Sequence, residues 1–166
     1  MKHIISALVE NKAGVLARVS GMFSARGFNI NSLAVGETDD PTISRMTIVS
    51  EGNERTLEQI IKQLHRLIDV IKVQDITNQD YISRELALIK VNVTKQSRSE
   101  IIQIVDTFEG RIIDVGPQAL TVEVAGEQNK IDAVMKLLSS FGLREIVRTG
   151  RIAISRKKEV TIKNKK

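Results

Sequence analysis

Residues 3–9, H-I-I-S-A-L-V, are a short apolar run broken at Ser6 and read as a strand. The pattern then changes. Val15, Leu16, Val19, Met22 and Phe23 fall on one face of a helix. Residues 30–37 and 43–50 read as strands joined by the turn-rich T-D-D-P-T at 38–42. Leu57, Ile60, Ile61, Leu64, Leu67 and Ile68 mark a second helical face, and residues 70–76 a last strand.

After Thr77-Asn78-Gln79-Asp80 the order repeats. Residues 86–93 read as a strand, and Ile101, Ile102, Val105 and Phe108 as a helical face. Residues 111–115 and 120–124 are strands broken by Gly116-Pro117. Ile131, Val134, Met135, Leu138 and Phe141 form another helical face. Residues 144–155 close the set as a strand, with Gly150 as a point of interruption. Each half is thus β-α-β-β-α-β, the ferredoxin-like order, in about 75–80 residues. The fold class is α+β, with tandem domains at 1–78 and 79–158 and a basic flexible tail at 159–166. Two helices on one face of a four-stranded sheet leave the other face for water or a partner. A unit this small is marginal alone, so a homodimer is the expected consequence.

Composition narrows the chemistry. Hydrophobic residues make up 42% but aromatics only 3%, so Ile, Val and Leu must build the core. With no Cys there is no disulfide framework, thiolate nucleophile or Cys-based zinc site. No apolar run approaches the roughly 20 residues of a membrane helix, and the first strand begins almost at Met1 without a signal or transit peptide. A cytoplasmic protein is expected. The net charge of +5 lies in residues 156–166, which hold six Lys/Arg and one Glu, while residues 1–155 balance at 19 basic and 19 acidic side chains. The body has no bias toward polyanions, and no aromatic residue interleaves with the tail charges. Nucleic acid is not the expected partner.

The segment E-N-K-A-G-V at 10–15 joins the first strand to the first helix. Polar and glycine residues there expose backbone N–H groups at a helix start, a setting that holds a carboxylate or phosphate. Asn11 and Asn29 each offer a donor and an acceptor, which suits a zwitterion. Val15, Leu16, Ile30 and Val35 are candidates for an apolar wall. The plainer alternative is that Gly14 relaxes a tight turn and Asn11 caps the helix. The corresponding turn of the second half, T-K-Q-S-R at 94–98, has no glycine and more bulk. Arg45 is read as covering the sheet, and Asp39 and Asp40 as turn formers rather than a metal or acid–base pair. His3 and His65 stand on distant elements and are read as structural. No Gly-x-Ser-x-Gly elbow is present, and the spacing of Gly21 and Gly27 fits neither a P-loop nor a dinucleotide fingerprint.

Three blocks carry a resemblance: E-N-K-A-G-V-L-A-R-V, then F-S-A-R-G-F-N-I-N-S-L, then T-D-D-P-T-I-S-R-M-T-I, over about residues 9–49. Together with G-R-I-I-D-V-G-P near 110–117 they resemble the small regulatory subunit of acetohydroxyacid (acetolactate) synthase. The resemblance spans all but the basic tail. It implies an ACT domain in the N-terminal half that pairs across chains. It implies a feedback amino acid, usually valine, at that dimer interface. By position, Asn11, Ala13, Gly14, Val15 and Leu16 would meet the effector, with Asn29 and Ile30 coming from the partner chain. It implies that the chain is not itself an enzyme but activates a large catalytic subunit in branched-chain amino-acid biosynthesis. Thiamine diphosphate, magnesium and FAD would belong to that subunit, and this chain would hold no metal or cofactor. The rival reading is a stand-alone amino-acid sensor acting on transcription or RNA through the basic tail. Against it, no helix-turn-helix or basic recognition helix is visible. An enzyme in its own right lacks any nucleophile–base set.

Overall fold

A computed structural model describes residues 1–156. The tail expected at 159–166 lies outside the described residues. The chain forms two compact units: Met1–Ile82 together with the segment from Arg151, and Ser83–Gly150.

The first unit runs β1 (Lys2–Glu10), α1 (Val15–Ala25), β2 (Ile30–Glu37), β3 (Ile43–Glu51), α2 (Glu54–Leu64) and β4 (Val70–Asp75). Its antiparallel sheet has the order β2-β3-β1-β4. Alternation along β1 sends Ile5, Ala7 and Val9 to the helix side, where they meet Val19 and Phe23 of α1 and Ile60 and Leu64 of α2. The R-G-F block is the end of α1. The Phe28 N–H donates to the Phe23 carbonyl at 3.0 Å and the Gly27 N–H to Ser24 at 3.1 Å. Gly27 takes φ 68°, the left-handed residue that such a helix end needs. Phe23 and Phe28 seal it edge to face, ring centres 6.3 Å apart. Asn53 caps α2, its side chain accepting from the Thr56 N–H at 2.9 Å.

The apolar run toward Ile68 predicts a longer α2 than forms. The helix stops at Leu64; Leu67 packs on the core, but Ile68 sits in a turn before β4. The helix-free face of this sheet is covered in part by its own chain. Ile4 and Val49 are buried there with Ile76 and Ala153, and Tyr81 packs against them.

The second unit repeats the order. β5 (Tyr81–Asn92), which begins in the first unit, leads to α3 (Arg98–Thr107), β6 (Arg111–Val115), β7 (Ala119–Gly126), α4 (Gln128–Leu138) and β8 (Leu143–Arg148). The sheet order is β6-β7-β5-β8. The core is Ile89, Val91, Ile101, Leu120, Ile131, Leu138 and their neighbours. The tandem ferredoxin-like reading therefore describes the fold. The closing segment differs from the single strand expected at 144–155. The chain breaks after Arg148, Gly150 takes φ 79°, and β9 (Ile152–Ser155) pairs with β5 and belongs to the first unit.

The end of α3 reproduces the end of α1, with one difference. The Gly110 N–H donates to Val105 at 2.8 Å and the Glu109 N–H to Asp106 at 3.0 Å. The left-handed position is held by Glu109, at φ 52°, where α1 has glycine. A side chain in this region costs about 1 kcal/mol or more, partly offset by the extra unfolded-state freedom that glycine brings. Glu109→Gly is expected to stabilise the second unit by about 0.5 kcal/mol, read as a higher denaturant midpoint at unchanged slope.

Candidate functional site

The turn between β1 and α1 is shaped by one left-handed residue. Gly14 has φ 85° and precedes α1 with no side-chain cap. The Val15 N–H reaches back to the Lys12 carbonyl at 3.3 Å, closing a tight turn. The N–H groups of Gly14, Leu16 and Ala17 have no backbone acceptor among the described residues. They form an open donor cluster at the positive end of a helix.

Asn11 does not cap the helix. Its Nδ2 donates to the Glu37 carboxylate at 3.0 Å and to the Pro41 carbonyl at 2.9 Å, and its backbone N–H donates to Thr42 at 2.7 Å. The D-D-P-T hairpin loop is thus tied to the glycine turn. That loop is itself stiffened by Asp40, whose Oδ1 accepts from the Thr42 N–H at 2.9 Å and the Thr42 hydroxyl at 2.6 Å. Those two hydrogen bonds hold the Asp40 carboxyl below the usual carboxylate range. Asp40 is a turn former. With both amide hydrogens of Asn11 engaged, its Oδ1 is left to accept.

Charged groups ring the same turn. Arg18, one turn into α1, places Nη1 3.1 Å from where a Cβ on Gly14 would sit. Its Nε donates to Asp69 at 2.6 Å. Asp69 is buried, and its carbonyl accepts from the Glu10 N–H at 2.8 Å. Lys12 pairs with Glu10 at 2.7 Å, and that hydrogen bond raises the ammonium above its ordinary value. Nothing in the sequence spacing pointed to Arg18 or Asp69; they are 51 residues apart and meet only through the fold.

Asn11, Ala13, Gly14, Val15 and Leu16 share this turn. Val15 is buried in the core, so only its backbone faces the turn, whereas Leu16 and Val35 keep exposed side chains. Asn29 and Ile30 are not brought there by the same chain. Ile30 pairs with Ser50, which pairs with His3, at the opposite end of the sheet from Glu10. The separation along the strands is roughly 23 Å at about 3.3 Å per residue. Asn29 is anchored through its carbonyl, which accepts from the Ser50 hydroxyl at 2.6 Å, leaving its exposed side chain available.

The second half offers no such opening. At its matching turn the Thr94 N–H donates to the Ser97 hydroxyl at 2.9 Å and the Ser97 N–H to the Thr94 hydroxyl at 3.1 Å. The turn closes on itself.

Other candidates are structural. Arg45 donates to the Ser6 hydroxyl at 2.9 Å across the sheet. His3 is buried with Nε2 3.0 Å from the Gly52 carbonyl, and His65 ends α2. Among the described residues no cluster of three His, Asp or Glu is placed to hold a metal ion, and no helix is long and apolar enough to cross a membrane.

Residues 5–72 match the model of the AHAS small subunit-like ACT domain, and residues 84–157 that of the small subunit of acetolactate synthase. The chain belongs to the acetolactate synthase small-subunit family. A probable acetolactate synthase small subunit of Methanothermobacter thermautotrophicus is 57% identical over 93% of this chain and 92% of that protein. The acetolactate synthase small subunit of Mycobacterium leprae is 53% identical over 93% of this chain and 91% of its own length. Among solved structures, the acetolactate synthase small subunit of Thermotoga maritima superposes with a TM-score of 0.87 at 40% identity, covering 96% of this chain and 99% of that one. The family's ACT match falls on the unit that carries the open turn.

Proposed function

We propose that this chain is the non-catalytic regulatory subunit of acetolactate synthase in branched-chain amino-acid synthesis. In this reading it binds valine between two copies of itself and activates a large subunit. That large subunit holds the thiamine diphosphate, magnesium and FAD.

The observation that carries the reading is the split of the candidate residues between opposite ends of one sheet. β2 is an edge strand. Two copies joined antiparallel along β2 by a two-fold axis through the middle of the strand would place residue 30 of one chain opposite residue 37 of the other. The partner subunit's Asn29 then stands beside Glu37, the residue that Asn11 holds. Neither chain completes the site alone, so effector binding and pairing are linked.

An α-amino acid fits what is present. Its carboxylate takes the open N–H groups of the glycine turn, where an anion gains about 0.3–1 kcal/mol, or ~2 when partly buried. Its ammonium donates to the side-chain oxygen of Asn11 and to that of the partner subunit's Asn29. Leu16 and Val35 supply apolar surface for a branched side chain. Bound valine favours one arrangement of the paired units over another, and a coupling of about 1–3 kcal/mol is enough for feedback.

Calorimetric titration of the full chain with valine, leucine, isoleucine and an unbranched control tests this. Saturable binding of a branched amino acid, with one ligand stabilising a dimer in sedimentation, is the expected result. No binding of any of them, with or without the large subunit, overturns it.

A further inference from the structure

We propose that the corner between α2 and β4, with Ile68 at its tip, is the surface by which this chain engages the large catalytic subunit. The proposal rests on the reading of the chain as that subunit's regulatory partner.

The corner is built as a presented side chain. The Val70 N–H donates to the Leu67 carbonyl at 3.1 Å, which makes Ile68 and Asp69 the central residues of a tight turn. Such positions usually carry Gly, Pro, Asn, Asp or Ser. Here the tip is a β-branched apolar residue that is 93% exposed and packs on almost nothing among the described residues. Ile71, three residues on and in the edge strand β4, is also exposed. Arg66 flanks them and is exposed. An apolar tip with a basic flank fits an apolar socket with an acidic rim.

The occupant follows from the sheet order. β2 and β4 are the opposite edges of the sheet. In the proposed pairing along β2 the β4 corner stays uncovered, which leaves it free for a different chain.

The corner is also mechanically joined to the effector turn. Asp69 is fixed from both sides, its carboxylate by Arg18 at 2.6 Å and its carbonyl by the Glu10 N–H at 2.8 Å. Arg18 overhangs Gly14. A carboxylate at the Gly14 turn would meet the Arg18 guanidinium, and Arg18 holds the residue next to Ile68. Effector binding and partner contact thus share one pair of side chains.

The test is an activation titration without valine. The large catalytic subunit is titrated with the full chain as wild type, Ile68→Asp and Ile68→Val, with thermal midpoint and sedimentation mass recorded for each. Ile68→Asp is expected to raise the half-saturating concentration by at least about tenfold, and Ile68→Val by less than about threefold, with midpoint and mass unchanged. Superimposable curves for wild type and Ile68→Asp overturn the proposal. A loss of dimer mass in Ile68→Asp also overturns it, by assigning the corner to self-association. Because valine is absent, these results stand apart from the effector reading. That reading fails separately, if the wild-type complex ignores valine.

Discussion

Gly14→Asp is expected to abolish valine inhibition of the reconstituted enzyme while leaving activation by the small chain in place. The new carboxylate would occupy the place proposed for the valine carboxylate. Apposed like charges cost several kcal/mol, so the inhibitory concentration should rise at least about a hundredfold, equal to about 2.7 kcal/mol. The structure changes one part of the argument for why the fold survives. From the sequence, an Asp at a helix start is a favourable cap. That role requires extended backbone, whereas Gly14 is left-handed at φ 85° with no cap bond. The substitution therefore costs about 1 kcal/mol of strain, a penalty that Asp bears better than most residues. Its Cβ would meet Arg18 Nη1 at 3.1 Å, a flexible group that can move aside. Gly14→Ala separates the causes, since it brings the strain without the charge. Inhibition curves and thermal midpoints for both variants decide. Normal inhibition of Gly14→Asp would place the effector elsewhere, and equal loss in the two variants would make strain, not charge, responsible.

Arg148→Ala carries the largest expected loss of stability. Glu85 lies in β5, an inner strand of the second unit's sheet, with a side chain only 6% exposed. Arg148 answers it with a fork, Nε at 2.5 Å and Nη2 at 2.9 Å, and also reaches Asp132 at 3.5 Å. The hydrogen bond to Glu85 is the chief cause that holds the guanidinium above its ordinary pKa. Removing the arginine strands a buried carboxylate, at a cost of about 3–5 kcal/mol. In a unit of this size that lowers the melting transition by about 12 °C or more. Lysine cannot reproduce the fork and should recover only part of the loss. Replacing both partners with apolar residues, as in Glu85→Met with Arg148→Leu, should recover most of it, because the penalty lies in the unpaired charge. Calorimetry of the full chain resolves these cases. A single Arg148→Ala variant melting within about 2 °C of wild type would show that water reaches Glu85.

Much of the fold was legible because local period and burial agree in this chain. Strands and helices fall where alternation and helical spacing place them, and the repeat of β-α-β-β-α-β follows from counting elements. The misreadings have physical causes. Ile68 continues the helical spacing of α2, but the helix ends at Leu64 and the chain turns to enter β4. Spacing cannot tell an apolar residue facing the core from one at a turn tip. The strand expected at 144–155 breaks after Arg148; both pieces pair with β5, but β9 belongs to the first unit.

The candidate site divides in the same way. By itself the sequence determined the fold class and the glycine turn, because both depend on neighbours a few residues apart. It also carried the family blocks, and the family followed from them. Only the tertiary structure brought the D-D-P-T loop onto the glycine turn through Asn11, and Asp69 onto Arg18. It alone put Asn29 at the far end of the sheet from the glycine turn. These are contacts between residues tens of positions apart, set by strand register and order. Local periodicity carries no information about either.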